Sequence, residues 1–182
     1  MGELTTCRHQ FDLPVSRRQV FELLSDPDRL DSLTPPWFRL RPRPGAPRRL
    51  AEGTEIAYRF RWRGLPLPWV SRITDWREPE FFAYEQQRGP YRFFRHEHTF
   101  IATASGARVI DRALFSTHGG RLFDRTLALP DLRRIFAYRE RACREWLTSA
   151  QPAGSAGPGA GAPGASRAPR TSAASSAIER PT

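Results

Sequence analysis

Residues 64–115, GLPLPWVSRITDWREPEFFAYEQQRGPYRFFRHEHTFIATASGARVIDRALF, read as four consecutive antiparallel strands joined by short turns. Side chains alternate along a strand, so Phe94, His96, His98 and Phe100 share one face while Phe93, Arg95, Glu97 and Thr99 share the other. The small residues Ala104-Ser105-Gly106-Ala107 suit a tight hairpin. Placing Ser105 and Gly106 at its tip pairs Phe100 with Asp111, His98 with Ala113 and His96 with Phe115. A three-residue loop within Arg88-Gly89-Pro90-Tyr91-Arg92 pairs Gln86 with Phe94, Tyr84 with His96 and Phe82 with His98. That register also sets Glu85 opposite Arg95 on the other face, a favourable charge pair. One face then collects Phe82, Tyr84, Gln86, Phe94, His96, His98, Phe100, Asp111 and Phe115, aromatic rings with polar groups inset, as in a ligand-pocket wall.

Working outward, residues 3–13 alternate loosely and read as a first strand ended by Pro14, after which Ser16 caps a helix over 17–24. A second short helix is expected over 28–33, stopped by Thr34-Pro35-Pro36, and an outer strand over 37–43. In 54–63, Ile56, Tyr58, Phe60 and Trp62 oppose Arg59, Arg61 and Arg63, one side core and the other wet. Residues 64–68 read as a turn, and the strand after it turns Trp69, Ser71, Ile73 and Asp75 one way. From Leu122 to Leu147 apolar residues recur at helical spacing, with Pro130 in the first turn of the long helix. The expected fold is α+β: a curved antiparallel sheet of about seven strands, two short helices after the first strand, and a long C-terminal helix. The domain should end near residue 149, because residues 150–182 are Ala, Gly, Pro and Ser with three arginines and read as a disordered tail.

The formal charge of +10 and pI of 11.1 suggest a nucleic-acid partner, yet all 29 basic residues are arginine, a bias that a GC-rich coding sequence also produces. Arginines 39, 41, 43, 59, 61 and 63 fall on neighbouring strands, without interleaved aromatics to stack bases, and read as a solvated face. Binding of anionic lipid or nucleic acid through that stripe is the least favoured of three functional readings. Cys7 and Cys143 lie near opposite ends and read as free thiols of a reducing compartment, so a cytoplasmic location is expected. No apolar run approaches a membrane span.

At Gly64-Leu65-Pro66, Trp69, Ile73, Gln86, Gly89-Pro90-Tyr91, His96-x-His98-x-Phe100, Asp111 and Ile135-Phe136-x-Tyr138-Arg139, the chain resembles a bacterial branch of the SRPBCC superfamily. These are START-like proteins that include polyketide cyclase/dehydrases and lipid-transport proteins. The resemblance covers about Leu4 to Leu147 and implies a helix-grip fold: a curved sheet wrapped on the C-terminal helix, with a hydrophobic ligand cavity between them. The expected function is binding, transport or sensing of a small hydrophobic or amphipathic ligand, with a cyclase or dehydratase using the same cavity as the alternative.

Under the binding reading the ligand residues are Tyr58, Trp62, Trp69, Phe82, Tyr84, Gln86, Phe94, His96, His98, Phe100, Asp111, Phe136 and Arg139. Under the enzymatic one, His96, His98 and Asp111 are the catalytic candidates. The same three residues have the donor types of a metal site, but a buried polar cluster in which Asp111 and Gln86 satisfy the imidazoles is commoner, and no metal or cofactor is expected.

Overall fold

A computed structural model describes residues 3–38, 40–62 and 64–150. Its elements are β1 (Thr5–Leu13), α1 (Arg17–Ser25), a 3-10 turn (Pro27–Arg29), β2 (Arg41–Pro42), β3 (Glu55–Trp62) and β4 (Leu65–Arg77). There follow β5 (Phe81–Arg88), β6 (Tyr91–Thr103), β7 (Gly106–Thr117), α2 (Gly120–Phe123), a π turn (Asp124–Ala128) and α3 (Leu129–Ala150). The strands form one seven-stranded antiparallel sheet in the order β1-β7-β6-β5-β4-β3-β2, so the chain's first strand closes against its last. This is the expected α+β helix-grip architecture. The alanine- and glycine-rich tail lies outside the described residues, as do Arg39, Arg63 and the side chains of Phe60 and Trp62.

Local chemistry explains most boundaries. The Ser16 hydroxyl accepts from the Gln19 N–H while Gln19 Oε1 accepts from the Ser16 N–H, a reciprocal capping box that starts α1. Where a second short helix was expected over 28–33, only the three-residue 3-10 turn forms, with Asp26 Oδ1 accepting from the Asp28 N–H. The outer strand shrinks to the two residues of β2, since prolines at 35, 36, 42 and 44 interrupt the ladder. The turn expected over 64–68 is instead strand: Leu65 already pairs with Trp62, and Pro66 and Pro68 lie beyond the end of β5, where β4 has a free edge. Before Pro130 the C-terminal helix widens into the π turn, with the Leu129 N–H donating to the Asp124 carbonyl.

Registers decide which residues meet. The β5–β6 pairing follows the sequence expectation, with Tyr84 opposite His96, Phe82 opposite His98 and Glu85 opposite Arg95. On the outer face Arg95 bonds Glu85 at 3.0 Å, Glu97 at 2.9 Å and Asp75 at 2.9 Å. Asp75 reaches that face because the register slips between Ile73 and Asp75, which turns Trp76 inward onto Phe21 and corrects the expectation that Asp75 shares a face with Trp69, Ser71 and Ile73. The β6–β7 register is also corrected: the hairpin closes at Thr103 and Gly106, two residues from the expected pairing. Phe94 therefore opposes Phe115, His96 opposes Ala113, and His98 opposes Asp111.

Gly106 has φ 147°, and a Cβ there would overlap the Leu13 carbonyl oxygen of β1. Gly106→Ala should therefore destabilise the fold by about 3 kcal/mol in denaturant titration, since both the hairpin and the β1–β7 join must shift.

Candidate functional site

A belt of polar residues crosses the concave side of the sheet and divides the apolar core in two. One part contains Cys7, Phe94, Phe115 and Phe136; the other contains Phe11, Phe82, Phe100 and Cys143. Between them, at one level, lie His96 and His98 of β6, Asp111 of β7 and Arg139 of α3, exposed by 1%, 3%, 0% and 5%. His9 of β1, paired in register with Asp111, extends the belt to the sheet edge and contacts Glu140 Oε2 of α3 at 2.7 Å.

The geometry within the belt is close. His98 Nδ1 lies 2.6 Å from Asp111 Oδ1, and His96 Nε2 lies 3.5 Å from the same oxygen. Arg139 Nη1 donates to Asp111 Oδ2 at 3.5 Å. Tyr84 Oη and His96 Nδ1 are 2.8 Å apart. These ring–carboxylate contacts are poorly aligned, and His96 Nε2, His98 Nδ1 and Asp111 Oδ1 are paired only with one another. Rings hold the imidazoles in place: His96 stacks on Phe136 at 4.9 Å, and His98 stacks on Phe82 at 4.3 Å.

Burial, reinforced by the neighbouring His98, lowers the His96 pKa to about 3, and burial lowers that of His98 too. Burial by itself would raise the Asp111 pKa, but His98 and Arg139 outweigh it and hold the carboxyl well below its usual range. Burial pushes the Tyr84 phenol up to about 12. The belt at neutral pH is therefore an ionised Asp111–Arg139 pair flanked by neutral imidazoles and a neutral phenol. His96, His98 and Asp111 could each offer a ligand atom to a cation, these atoms lying within 4.8 Å of one another, although the Arg139 charge beside Asp111 opposes one.

Next to the belt is a cavity of about 40 Å³, bounded by α1, the segment after it, β3, β4 and β5. Of the residues expected to bind ligand, Tyr58, Trp69, Phe82, Tyr84, His98 and Arg139 line it. His96, Asp111, Phe94, Phe100 and Phe136 are buried behind that wall. Gln86 does not satisfy the imidazoles: its side chain caps the β5–β6 hairpin, Nε2 donating to the Tyr91 carbonyl at 2.8 Å and Oε1 accepting from the Tyr91 N–H at 3.3 Å. Trp62's side chain lies outside the described residues. Sequence reasoning missed Leu24 as a cavity residue although its helix was expected, Leu30, Leu33 and Leu40, which roof the cavity from irregular segments without a readable period, and His9, whose inward parity with Cys7 and Phe11 was its only signal.

Acid should undo the belt. Below the ordinary histidine pKa of about 6.5 the unfolded chain takes up a proton that folded His96 refuses until about pH 3. Unfolding free energy should hold above pH 7 and then fall by up to about 1.4 kcal/mol per pH unit for this residue. The Asp111 contribution is fully present above the unfolded carboxyl pKa of about 3.9 and declines only below it, because its folded pKa is depressed. Chemical denaturation across pH should show a smaller slope for His96→Gln than for the natural chain.

The fold has known counterparts. Protein TTHA0849 from Thermus thermophilus superposes with TM-score 0.63 at 15% identity, covering 81% of this chain and 100% of that one. Ms6760 from Mycobacterium smegmatis gives 0.62 at 14% identity, covering 82% and 98%. Norcoclaurine synthase from Thalictrum flavum, in complex with dopamine and hydroxybenzaldehyde, gives 0.61 at 11% identity, covering 82% and 90%. At these identities the likeness is one of fold. No curated protein matches the chain in sequence. The family model for polyketide cyclase / dehydrase and lipid transport, however, matches residues 13–138, and the chain belongs to that family.

Proposed function

We propose that the protein binds a small hydrophobic or amphipathic molecule between its sheet and α3, with the polar belt orienting one neutral polar group of that ligand. The observation that carries this reading is an aromatic-walled cavity bordered on one side by two groups of the buried polar belt, His98 and Arg139. A bound carbonyl or hydroxyl that hydrogen-bonds one of these bordering groups gains affinity and orientation. At about 40 Å³ the cavity is far below the several hundred cubic ångströms that a drug-sized ligand fills. Binding of a larger molecule therefore requires the wall to move. Residues 26–54 form that wall with one 3-10 turn and one two-residue strand, so displacing them breaks few ladder hydrogen bonds.

The family description, which names both lipid transport and cyclisation or dehydration, agrees with a ligand-holding interior. Solvent extraction and mass spectrometry of gel-filtered protein should recover an apolar molecule. A panel of polycyclic ketones and long-chain alcohols should contain compounds that raise the melting temperature, a ligand at a hundred times its Kd contributing about 2.7 kcal/mol. An empty extract together with a flat panel would exclude the reading.

An enzymatic function is the second reading, favoured by one feature: two neutral imidazoles next to an ionised carboxylate, His98 being 2.6 Å from Asp111. A neutral buried imidazole can take a proton from the carbon next to a bound ketone, and the adjacent carboxylate stabilises the imidazolium that results. His98→Gln separates the two readings. Turnover of a bound polyketone should drop by at least about a hundredfold if the imidazole moves a proton, whereas a carrier should lose only a few-fold in affinity.

A further inference from the structure

Outside the belt, the most heavily charged feature of the described residues is an open cleft of about 1000 Å³ at the β2–β3–β4 side of the sheet. Five arginines line it, Arg41, Arg43, Arg59, Arg61 and Arg88, with Asp31 as the one acidic residue among the lining. Asp31 is already engaged by Arg41 at 3.0 Å. Arg43, Arg59, Arg61 and Arg88 are exposed and form no ion pair or side-chain hydrogen bond among the described residues. Arg41 also stands directly opposite Arg59 in the β2–β3 ladder, where like charges repel. A multiply charged anion relieves that repulsion, and guanidinium forks match phosphate oxygens in pairs.

The cleft is not isolated from the interior. Tyr58, only 8% exposed, lines both the cleft and the cavity beside the polar belt, so the two spaces adjoin at this residue. Tyr138 of α3 adds a second ring to the cleft. We infer that the ligand of this protein is an anionic amphiphile: its phosphate or diphosphate head is held by Arg43, Arg59, Arg61 and Arg88, and its apolar portion passes Tyr58 into the cavity. This assignment rests on the cavity-binding reading above and names the ligand's chemistry.

The test compares dodecyl phosphate, dodecanol, inorganic pyrophosphate and anionic phospholipid vesicles as ligands of the full chain by calorimetry at low and high salt. Dodecyl phosphate should bind at least about tenfold tighter than dodecanol, and added salt should erase most of that advantage. The double variant Arg59→Gln/Arg61→Gln should bring dodecyl phosphate down to the affinity of dodecanol and leave dodecanol unchanged. Both positions are exposed, and an unaltered melting curve would show the fold intact. Equal binding of phosphate and alcohol, or no effect of the variant, would overturn the head-group site while leaving the cavity reading standing. Failure of both alkyl compounds would overturn the cavity reading and this assignment with it. Binding of pyrophosphate alone, or of vesicles without monomeric amphiphile, would replace the amphiphile with a free anion or a membrane surface.

Discussion

A carboxylate and a guanidinium buried together, Asp111 on β7 and Arg139 on α3, constrain the rest of this molecule. Neither charge can lose the other cheaply: removing one partner from a buried pair typically costs about 3–5 kcal/mol. The sheet and the helix must therefore meet with these residues facing each other, which fixes the seating of α3 on the sheet. Apolar packing on either side cannot provide that, because leucine and phenylalanine contacts tolerate sliding and rotation. The pair sits where the two halves of the core join, so Phe136 and Cys143, at either side of Arg139 on α3, are directed into different halves.

The same constraint explains the companion residues. An ion pair in an apolar interior needs polar neighbours, and the β6 pleat delivers two imidazoles two positions apart on the correct face. Burial keeps both neutral, which avoids adding a cation next to Arg139. Their rings act as aromatic surface towards Phe82 and Phe136 and as polar groups towards Asp111.

The faces of β6 and β7 were legible in the sequence and their register was not, for a definite reason. Alternation has a period of two, so a pairing displaced by two residues keeps every side chain on its face and gives the same pattern. Only turn geometry distinguishes the candidates, and there the backbone at Gly106 decides. With the hairpin closed at Thr103 and Gly106, Asp111 moves from Phe100 to His98, which turns a loose collection of polar residues into a connected belt. The β5–β6 register was legible because its outer face carried an independent signal, the Glu85–Arg95 pair. The slip near Thr74 and the roof over the cavity left no such signal. A bulge is a local exception to alternation, and of the roof's leucines Leu30, Leu33 and Leu40 come from segments that have no period.

The belt also limits what the interior can hold. A ligand carrying a full negative charge into the cavity would compete with Asp111 for Arg139 and leave a carboxylate uncompensated in a medium that penalises it heavily. A carbonyl or hydroxyl makes no such demand, and it can pair with His98, which borders the cavity. Neutral polarity is thus accommodated at depth, whereas anionic charge is accommodated outside Tyr58, where arginines outnumber acids and water still screens them. An amphiphile that meets both conditions has a single orientation in this fold, its uncharged part inward and its charged end at the β2–β3 edge. Reversing it would place each end in the environment that opposes it.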